Sequence, residues 1–522
     1  MSPNSELNLK KLYNHSSLRN SGRGVRFSIK NRLAPARLKR ITRIELDGKS
    51  LDLEQIQVRV ESSDMGKAAD IGAESAVDFP LGTLVVFDLP LEPLEEGRHR
   101  LTLGFETEKL GALEFSVEDE VGGRDRPRDA IPRSSEDDYD AAIVQARQAF
   151  VRDRTGTALK HISAYSFDSH ETRGNIEQFI GAAQVPMGLA GPIQIKGEHA
   201  NGQFYVPLAT SEGTLVASYN RGMKVINESG GVKCAVVGDN MQRAPVFLFD
   251  DAASARHFAD WLASKTDEIK EVCAQSDPFV RLKYIDYYLA NKFAFTRFNF
   301  TTGDAAGMNM VGKATFAACN WIMSHYPQDR IVEFFLEANF ATDKKASMIN
   351  IMRTRGKRVT AELTVKREVL RNVMDADTEA LYRHSKVANV GTLLSGANNN
   401  GCHAANAITA IFIATGQDVA NVSESSTGLL YTELTAEKDL YISITLPSLI
   451  VGTCGGGTGL PTQQESLEIM GCAGVGNVMK FAEIVAGTVL AGEISLAAAI
   501  SSLDWVSSHD QFGRNDPGLR KE

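Results

Sequence analysis

Residues 120–140 separate two stretches of sequence whose patterning no single fold could share. They include Gly122-Gly-Arg-Asp-Arg-Pro-Arg and Ser134-Ser-Glu-Asp-Asp, with few apolar residues and dense charge. Such a segment cannot bury enough surface to order itself, so it reads as a linker. Upstream, from about residue 28 to 119, apolar residues recur with period two. Ile41-Thr-Arg-Ile-Glu-Leu46 runs into Asp47-Gly48, a hairpin turn pair, and Ile56-Gln-Val-Arg-Val60 and Arg100-Leu-Thr-Leu-Gly-Phe105 alternate as well. Short strands at close spacing predict a small β-sandwich, read here as a packing or partner-binding module of unknown role. Residues 1–27 are expected to form a disordered tail.

Downstream the text turns Gly- and Ala-rich. Ala141-Ala-Ile-Val-Gln-Ala-Arg-Gln-Ala-Phe150 has helical spacing. Residues 245–340 read as an inserted α+β unit. Val246–Phe249 is expected as a strand, Ala253–Cys273 as one or two helices, Phe293–Phe300 as a strand pair and Ala314–Met323 as a helix. At 522 residues the chain exceeds one ordinary core. The expected class is α+β: the β-rich module, then a helical large domain (141–244 and 341–522) interrupted by the smaller unit.

Composition excludes several functions. A formal charge of -9 opposes a nucleic-acid scaffold, which needs a basic surface. The six cysteines are scattered without Cys-x-x-Cys spacing, so no disulfide framework and no metal site are expected. The N-terminus has no apolar signal core, and the apolar stretches Ala404–Thr415 and Ala482–Ile500 are interrupted by Asn, Thr, Gly and Glu. A cytoplasmic protein without a membrane span is expected.

Residues able to carry chemistry occur in a definite order. Gly303-Asp304-Ala305-Ala306-Gly307-Met308-Asn309-Met310 sits between a strand pattern and a helix pattern, where small residues admit a ligand to the backbone and a helix start favours an anion. It is not the dinucleotide fingerprint G-x-G-x-x-G. Lys344 and Lys345 follow Asp343; adjacent lysines are usually solvated, but Asp343 and Asp418 could hold an ammonium as donor to a developing oxyanion. Thr210 is read as a helix N-cap with Glu212 in the first turn, and a proton donor there needs desolvation to overcome the helix dipole. Asp418 follows the breaker Gly416. His509 lies in a Gly/Asn/Pro-containing tail suited to a lid. The run Gly452–Gly459 is either a flexible loop or a surface for a phosphate or pantetheine arm.

At these residues the chain resembles the 3-hydroxy-3-methylglutaryl-coenzyme A (HMG-CoA) reductase family. Glu177-Gln-Phe-Ile-Gly181, Val185–Pro192, Thr210-Ser-Glu-Gly213, Asn220-Arg-Gly222, Met241–Pro245, Asp304–Met310, Thr342–Lys345, His403-Ala-Ala-Asn406, Gly416–Asp418, Gly455–Thr458 and Ser508-His509 follow in family order, from about Leu159 to Arg514. The resemblance implies four-electron reduction of HMG-CoA to mevalonate and coenzyme A. Lys344 would stabilise the oxyanion, Glu212 donate protons, Asp418 link the two, and His509 protonate the departing thiolate beside Ser508. Arg243, Asp343 and Lys345 would hold the hydroxymethylglutaryl group, with His403 and Asn406 also at the substrate. Asn220 and Arg221 would face phosphates. Asp304, Ala305, Gly307, Met308, Asn309 and Met310, with Gly455, Gly456, Gly457 and Thr458, would line the cofactor site.

The Met308-Asn309-Met310 form is similar to the branch that generally uses NADPH. A ferredoxin-like cofactor domain and a homodimer or dimer of dimers, with the site at the subunit interface, are implied. The chain departs from the pattern at Ala306, Ser211, Glu337, the displaced Lys386 and Asn515. Residues 1–140 are expected to match nothing in the family. Two other readings stand beside the leading one: NAD-dependent oxidative mevalonate breakdown, and a non-catalytic thioester-binding homologue.

Overall fold

The computed structural model describes residues 9–502 except 23, 34–35, 62, 72–75, 81, 109–110, 122–129, 135 and 328–329. The chain divides into two compact units, Met1–Ala130 with Ala318–Arg330, and Ile131–Ala317 with Ile331–Glu522.

In the first unit two five-stranded antiparallel sheets form. One runs in the order Arg19–Ser21, Gly24–Lys30, Leu84–Leu89, Gln57–Val60, Ser63–Lys67. The other runs Gly111–Val121, Gly97–Thr107, Ala36–Leu46, Lys49–Ser50, with Val77–Phe79 also on Ala36–Leu46. Period-two alternation sends Phe27, Ile29 and Phe87 from one sheet, and Ile44, Leu103 and Phe105 from the other, into one buried cluster. Phe27 and Phe87 are cross-strand partners stacked at 4.7 Å. The Asp47-Gly48 turn forms as expected, both residues at positive φ, joining Leu46 to Lys49.

The expected disordered tail is corrected from residue 9 onward. Leu9, Leu12, Tyr13 and Leu18 are buried, and the Tyr13 hydroxyl donates to buried Asp119 at 2.6 Å. Apolar spacing in a polar-looking segment supplied enough burial to order it. Residues 122–129 and 135 of the expected linker lie outside the described residues.

The second unit is mixed α/β. Its elements include β1 (Met187–Gly197), β2 (Asn201–Ala209), α1 (Leu215–Glu228), β3 (Val232–Arg243), β4 (Val246–Leu248), α2 (Ala252–Ser264), α3 (Thr266–Ser276), β5 (Arg281–Ala290), β6 (Phe293–Thr301), the first part of α4 (Met308–His325, divided between the units after Ala317), β7 (Glu333–Phe335), β8 (Gly356–Val365), α5 (Thr378–Ser395), α6 (Ala404–Thr415), β9 (Leu429–Leu434), β10 (Leu440–Leu449) and α7 (Val478–Ser501). The sheet order is β7-β4-β6-β3-β8-β10-β9, with β1 on β2 and β3, and β5 on β6. The first part of β3 pairs with β1 and β8, while its last residues, Met241–Arg243, pair with β6. The 245–340 segment thus shares a sheet with the rest through β3. Within the segment, β4, β5, β6 and β7 are all antiparallel in the spatial order β7-β4-β6-β5.

Helix α7 is the buried axis of this unit, packing on α1, α6, β8 and β3. By length and composition it could cross a membrane, but 78% of its most apolar window is buried inside the protein. Two fully buried glutamates explain its place. Glu493 accepts the amides of Cys402, His403 and Ala404 at 2.6–2.9 Å, satisfying free donors at the start of α6. Glu483 likewise accepts from Glu198, His199 and Ala200 between β1 and β2. Burial pushes the Glu493 carboxyl upward, and the three amide donors oppose that shift. Glu493→Ala is expected to cost about 2–5 kcal/mol, because it orphans three N–H groups, those of His403 and Ala404 buried. Thermal unfolding measures this, and a variant melting with the parent would mean those amides find other partners.

Candidate active site

Lys344 and Asp418 meet because two loop ends are held independently. Helix α6 stops at Gly416, in the left-handed conformation with φ 70°. Gln417 is then pinned, donating to the Gly452 carbonyl at 3.0 Å and accepting its amide at 2.8 Å. Asp418 caps the following short turn, its Oδ1 accepting the Ala420 amide at 3.1 Å. That leaves Oδ2 for the Lys344 ammonium, 2.9 Å away. This hydrogen bond, ahead of opposing desolvation, raises the Lys344 pKa, with Asp343 and Glu424 contributing field. Asp343 accepts from the buried Arg355 at 2.6 Å and lies 3.9 Å from Arg243, and Lys345 donates to the Asp343 carbonyl at 3.1 Å.

Asp418 also lines a cleft of about 670 Å³. The other walls include Ala305, Gly307, Met308, Asn309 and Met310, and across from them Gly455, Gly456, Gly457 and Thr458. The sequence-predicted loop is therefore a turn between β6 and α4, with the helix start facing the cleft. Gly307 has φ 79°, and a Cβ there would collide with Thr302. The glycine run forms a short helical turn, Gly456–Gly459. A Cβ on Gly457 would sit 2.6 Å from the Gly416 carbonyl, so the small residues bring the two loops together.

Several residues singled out in the sequence are placed elsewhere. Asp304 is absent from the cleft wall: its carboxylate accepts the Gly476 and Val478 amides at 2.9 and 3.1 Å at the start of α7. The helix expected after Thr210 begins later, with Thr214 as N-cap, and Thr210 Oγ1 accepts the Glu212 amide instead. Glu212 is exposed and reaches Asn406 Nδ2 at 3.4 Å; no hydrogen bond or ion pair joins it to Lys344 within this chain. Asn220 accepts the Gly191 amide at 2.7 Å, and Arg221 donates to Ser495 of α7.

His403 is buried, stacks on Tyr219 at 4.7 Å and contacts Ser218 at 3.2 Å. Burial lowers its pKa to about 4, which keeps it neutral. Glu337 accepts the Ala338 and Phe340 amides and lies 4.0 Å from Arg243, which offsets its charge. Lys386 lies over the Tyr382 ring at 4.5 Å. Ser508, His509 and Asn515 fall outside the described residues. Sequence reasoning missed Glu424, Arg355 and Asn350, which surround the 342–345 segment. None carries a local motif.

Comparison with known proteins bears on this site. The family model described as hydroxymethylglutaryl-coenzyme A reductase matches residues 143–514. A 3-hydroxy-3-methylglutaryl-coenzyme A reductase of Pyrococcus abyssi is 43% identical over 379 residues, covering 71% of this chain and 92% of the relative. One from Aeropyrum pernix is 43% identical over 382 residues, covering 72% and 90%. The solved reductase of Streptococcus pneumoniae superposes with a TM-score of 0.51 at 22% identity, over 63% of this chain and 88% of that one. A class II reductase of the same species, solved bound to NADPH, gives 0.50 at 22%, over 63% of this chain and 79% of that one. At such identity the likeness carries the fold alone.

The matched class is an oxidoreductase. The chain belongs to the hydroxymethylglutaryl-coenzyme A reductase family. Its N-terminal module matches the model of that family's N-terminal domain over residues 8–122, which corrects the expectation that this region matches nothing in the family.

Proposed function

We propose that the chain reduces HMG-CoA to mevalonate and coenzyme A, with NADPH held in the cleft of Ala305–Met310 and Gly455–Thr458. The observation that carries this reading is the ammonium of Lys344, held 2.9 Å from Asp418 on the wall of that cleft. Bound NADPH supplies the hydride, twice per thioester. Lys344 donates a hydrogen bond to the oxygen that gains charge, and Asp418 keeps the ammonium charged and aimed. Glu212, steadied by Asn406, donates protons. His509, with Ser508 beside it, protonates the leaving thiolate, and Arg243, Asp343 and Lys345 bind the hydroxymethylglutaryl carboxylate and hydroxyl. The inward contacts of His403, Asn220, Arg221 and Asp304 support a structural part for them.

The β4–β7 order, with helices between β4 and β5 and between β6 and β7, supports a ferredoxin-like reading of the small domain. Helix α5 exposes Val387, Val390, Leu393 and Leu394, the last two 83% and 84% exposed. That apolar face supports a homodimer, in which a partner would complete the site between Glu212 and Lys344. Free cysteines support a reducing, cytoplasmic setting.

Reduced-nicotinamide absorbance with HMG-CoA tests the cofactor assignment. NADPH is expected to give a kcat/KM at least roughly tenfold above NADH, the scale of a charge-assisted phosphate contact. Equal use, or preference for NADH, would overturn it.

A further inference from the structure

Lys344 occupies a backbone conformation that lysine rarely adopts. Its φ is 56°, and Thr342, two residues earlier, has φ 58°. Left-handed non-glycine residues persist only where their surroundings over-determine them, and they cluster at working sites. Two buried side chains supply the constraint here. Glu424 Oε1 accepts the Lys344 amide at 2.9 Å and the Asn421 Nδ2 at 3.0 Å, while its Oε2 accepts from Ser423 at 2.9 Å. Arg355 Nε lies 3.5 Å from the same Glu424 oxygen, its Nη1 donates to the Gln242 carbonyl at 3.1 Å, and its Nη2 donates to Asp343 at 2.6 Å. Neither Glu424 nor Arg355 has exposed surface.

The pair grips consecutive residues. Arg355 takes Asp343 by its side chain, and Glu424 takes Lys344 by its main chain. Asn350 clamps the flanks, accepting from Thr342 Oγ1 at 2.6 Å and donating to the Lys345 carbonyl at 3.3 Å. A buried ion pair is a poor way to stabilise a fold, since apolar replacement of both partners is often neutral or better. Its position directly beneath Lys344 is better explained by placement.

We propose that Glu424 is a positioning residue for the reaction, fixing the Lys344 main chain so that the ammonium meets Asp418 at the cleft. This rests on the reading of Lys344 as the cation at the substrate carbonyl. Two conservative variants separate positioning from charge balance. Glu424→Asp keeps the charge facing Arg355 but withdraws the acceptor from the Lys344 amide by one methylene. Glu424→Gln keeps an acceptor at that amide but loses the charge.

The expected result is a kcat for HMG-CoA reduction lowered roughly ten- to a hundredfold in Glu424→Asp, the scale of a misplacement near 1 Å. The NADPH KM and melting temperature stay close to the parent, and Glu424→Gln keeps most of its turnover. Glu424→Asp at the parental rate overturns the proposal whatever the Gln variant does, as does a Gln variant that loses turnover or fails to fold while the Asp variant keeps it. Lys344→Ala in the same series distinguishes the two layers. If it turns over normally, the reading of Lys344 fails; if it collapses while Glu424→Asp is normal, only the positioning role fails.

Discussion

Lys344→Ala is expected to lower kcat for HMG-CoA reduction by roughly two to three orders of magnitude, the range for losing one preorganised oxyanion donor. Hydride addition to a thioester places a full negative charge on oxygen, and among the cations of the 342–345 segment Lys344 is the one paired with a cleft acid. Lys345 instead donates back to its own segment at the Asp343 carbonyl. The loss is expected in kcat more than in the KM for NADPH, because the cleft walls contributed by Ala305–Met310 and Gly455–Thr458 do not depend on this side chain. Steady-state kinetics with folded variant protein checks this. A Lys344→Ala enzyme within a few-fold of the parent would remove the ammonium from the mechanism.

Asp418→Asn is expected to lower kcat by about ten- to a hundredfold and to reshape its pH dependence. The sign follows from the pair. Asp418 is the leading cause holding the Lys344 pKa above that of an ordinary lysine, so the parent keeps its ammonium to higher pH. Removing the carboxylate lowers that pKa, and the alkaline limb of the kcat profile moves to lower pH. Asparagine can still accept a hydrogen bond, which separates charge from geometry. Lys344 and Asp418 are 45% and 39% exposed, so solvent screens the pair and its effect on stability is expected to be small. A profile whose alkaline limb stays in place would mean that another group sets it.

Much of this arrangement could be read from local signals. The alternation around Ile44 and Phe105, the Asp47-Gly48 turn, and the helices between residues 252 and 325 follow from periodicity and turn chemistry, which act within a few residues, whereas Phe293–Phe300, expected as a strand pair, is one strand whose partner Arg281–Ala290 was not expected. The loop ending at Met310 and the glycine run converge on one cleft because small residues at breaks between elements mark close approach. What stayed hidden depends on partners far away in sequence. Glu424 has no motif of its own, and its meaning comes from Arg355 and Lys344. Asn220 and Arg221 are expected at phosphates and His403 at the substrate, and each finds a partner on β1, α1 or α7. Asp304 was read with its loop, whereas unsatisfied amides at the start of α7 claim its carboxylate. Thr210 loses the expected cap because the chain turns through Thr214 before the helix begins.

One thioester is expected to take both hydride additions at the cleft beside Lys344. Running the reaction to completion with limiting HMG-CoA, while following both NADPH absorbance and free coenzyme A thiol, measures this directly. The expected result is two NADPH oxidised for each thiol released, with no aldehyde accumulating. No NADPH consumption, or a single equivalent per thiol, would contradict it.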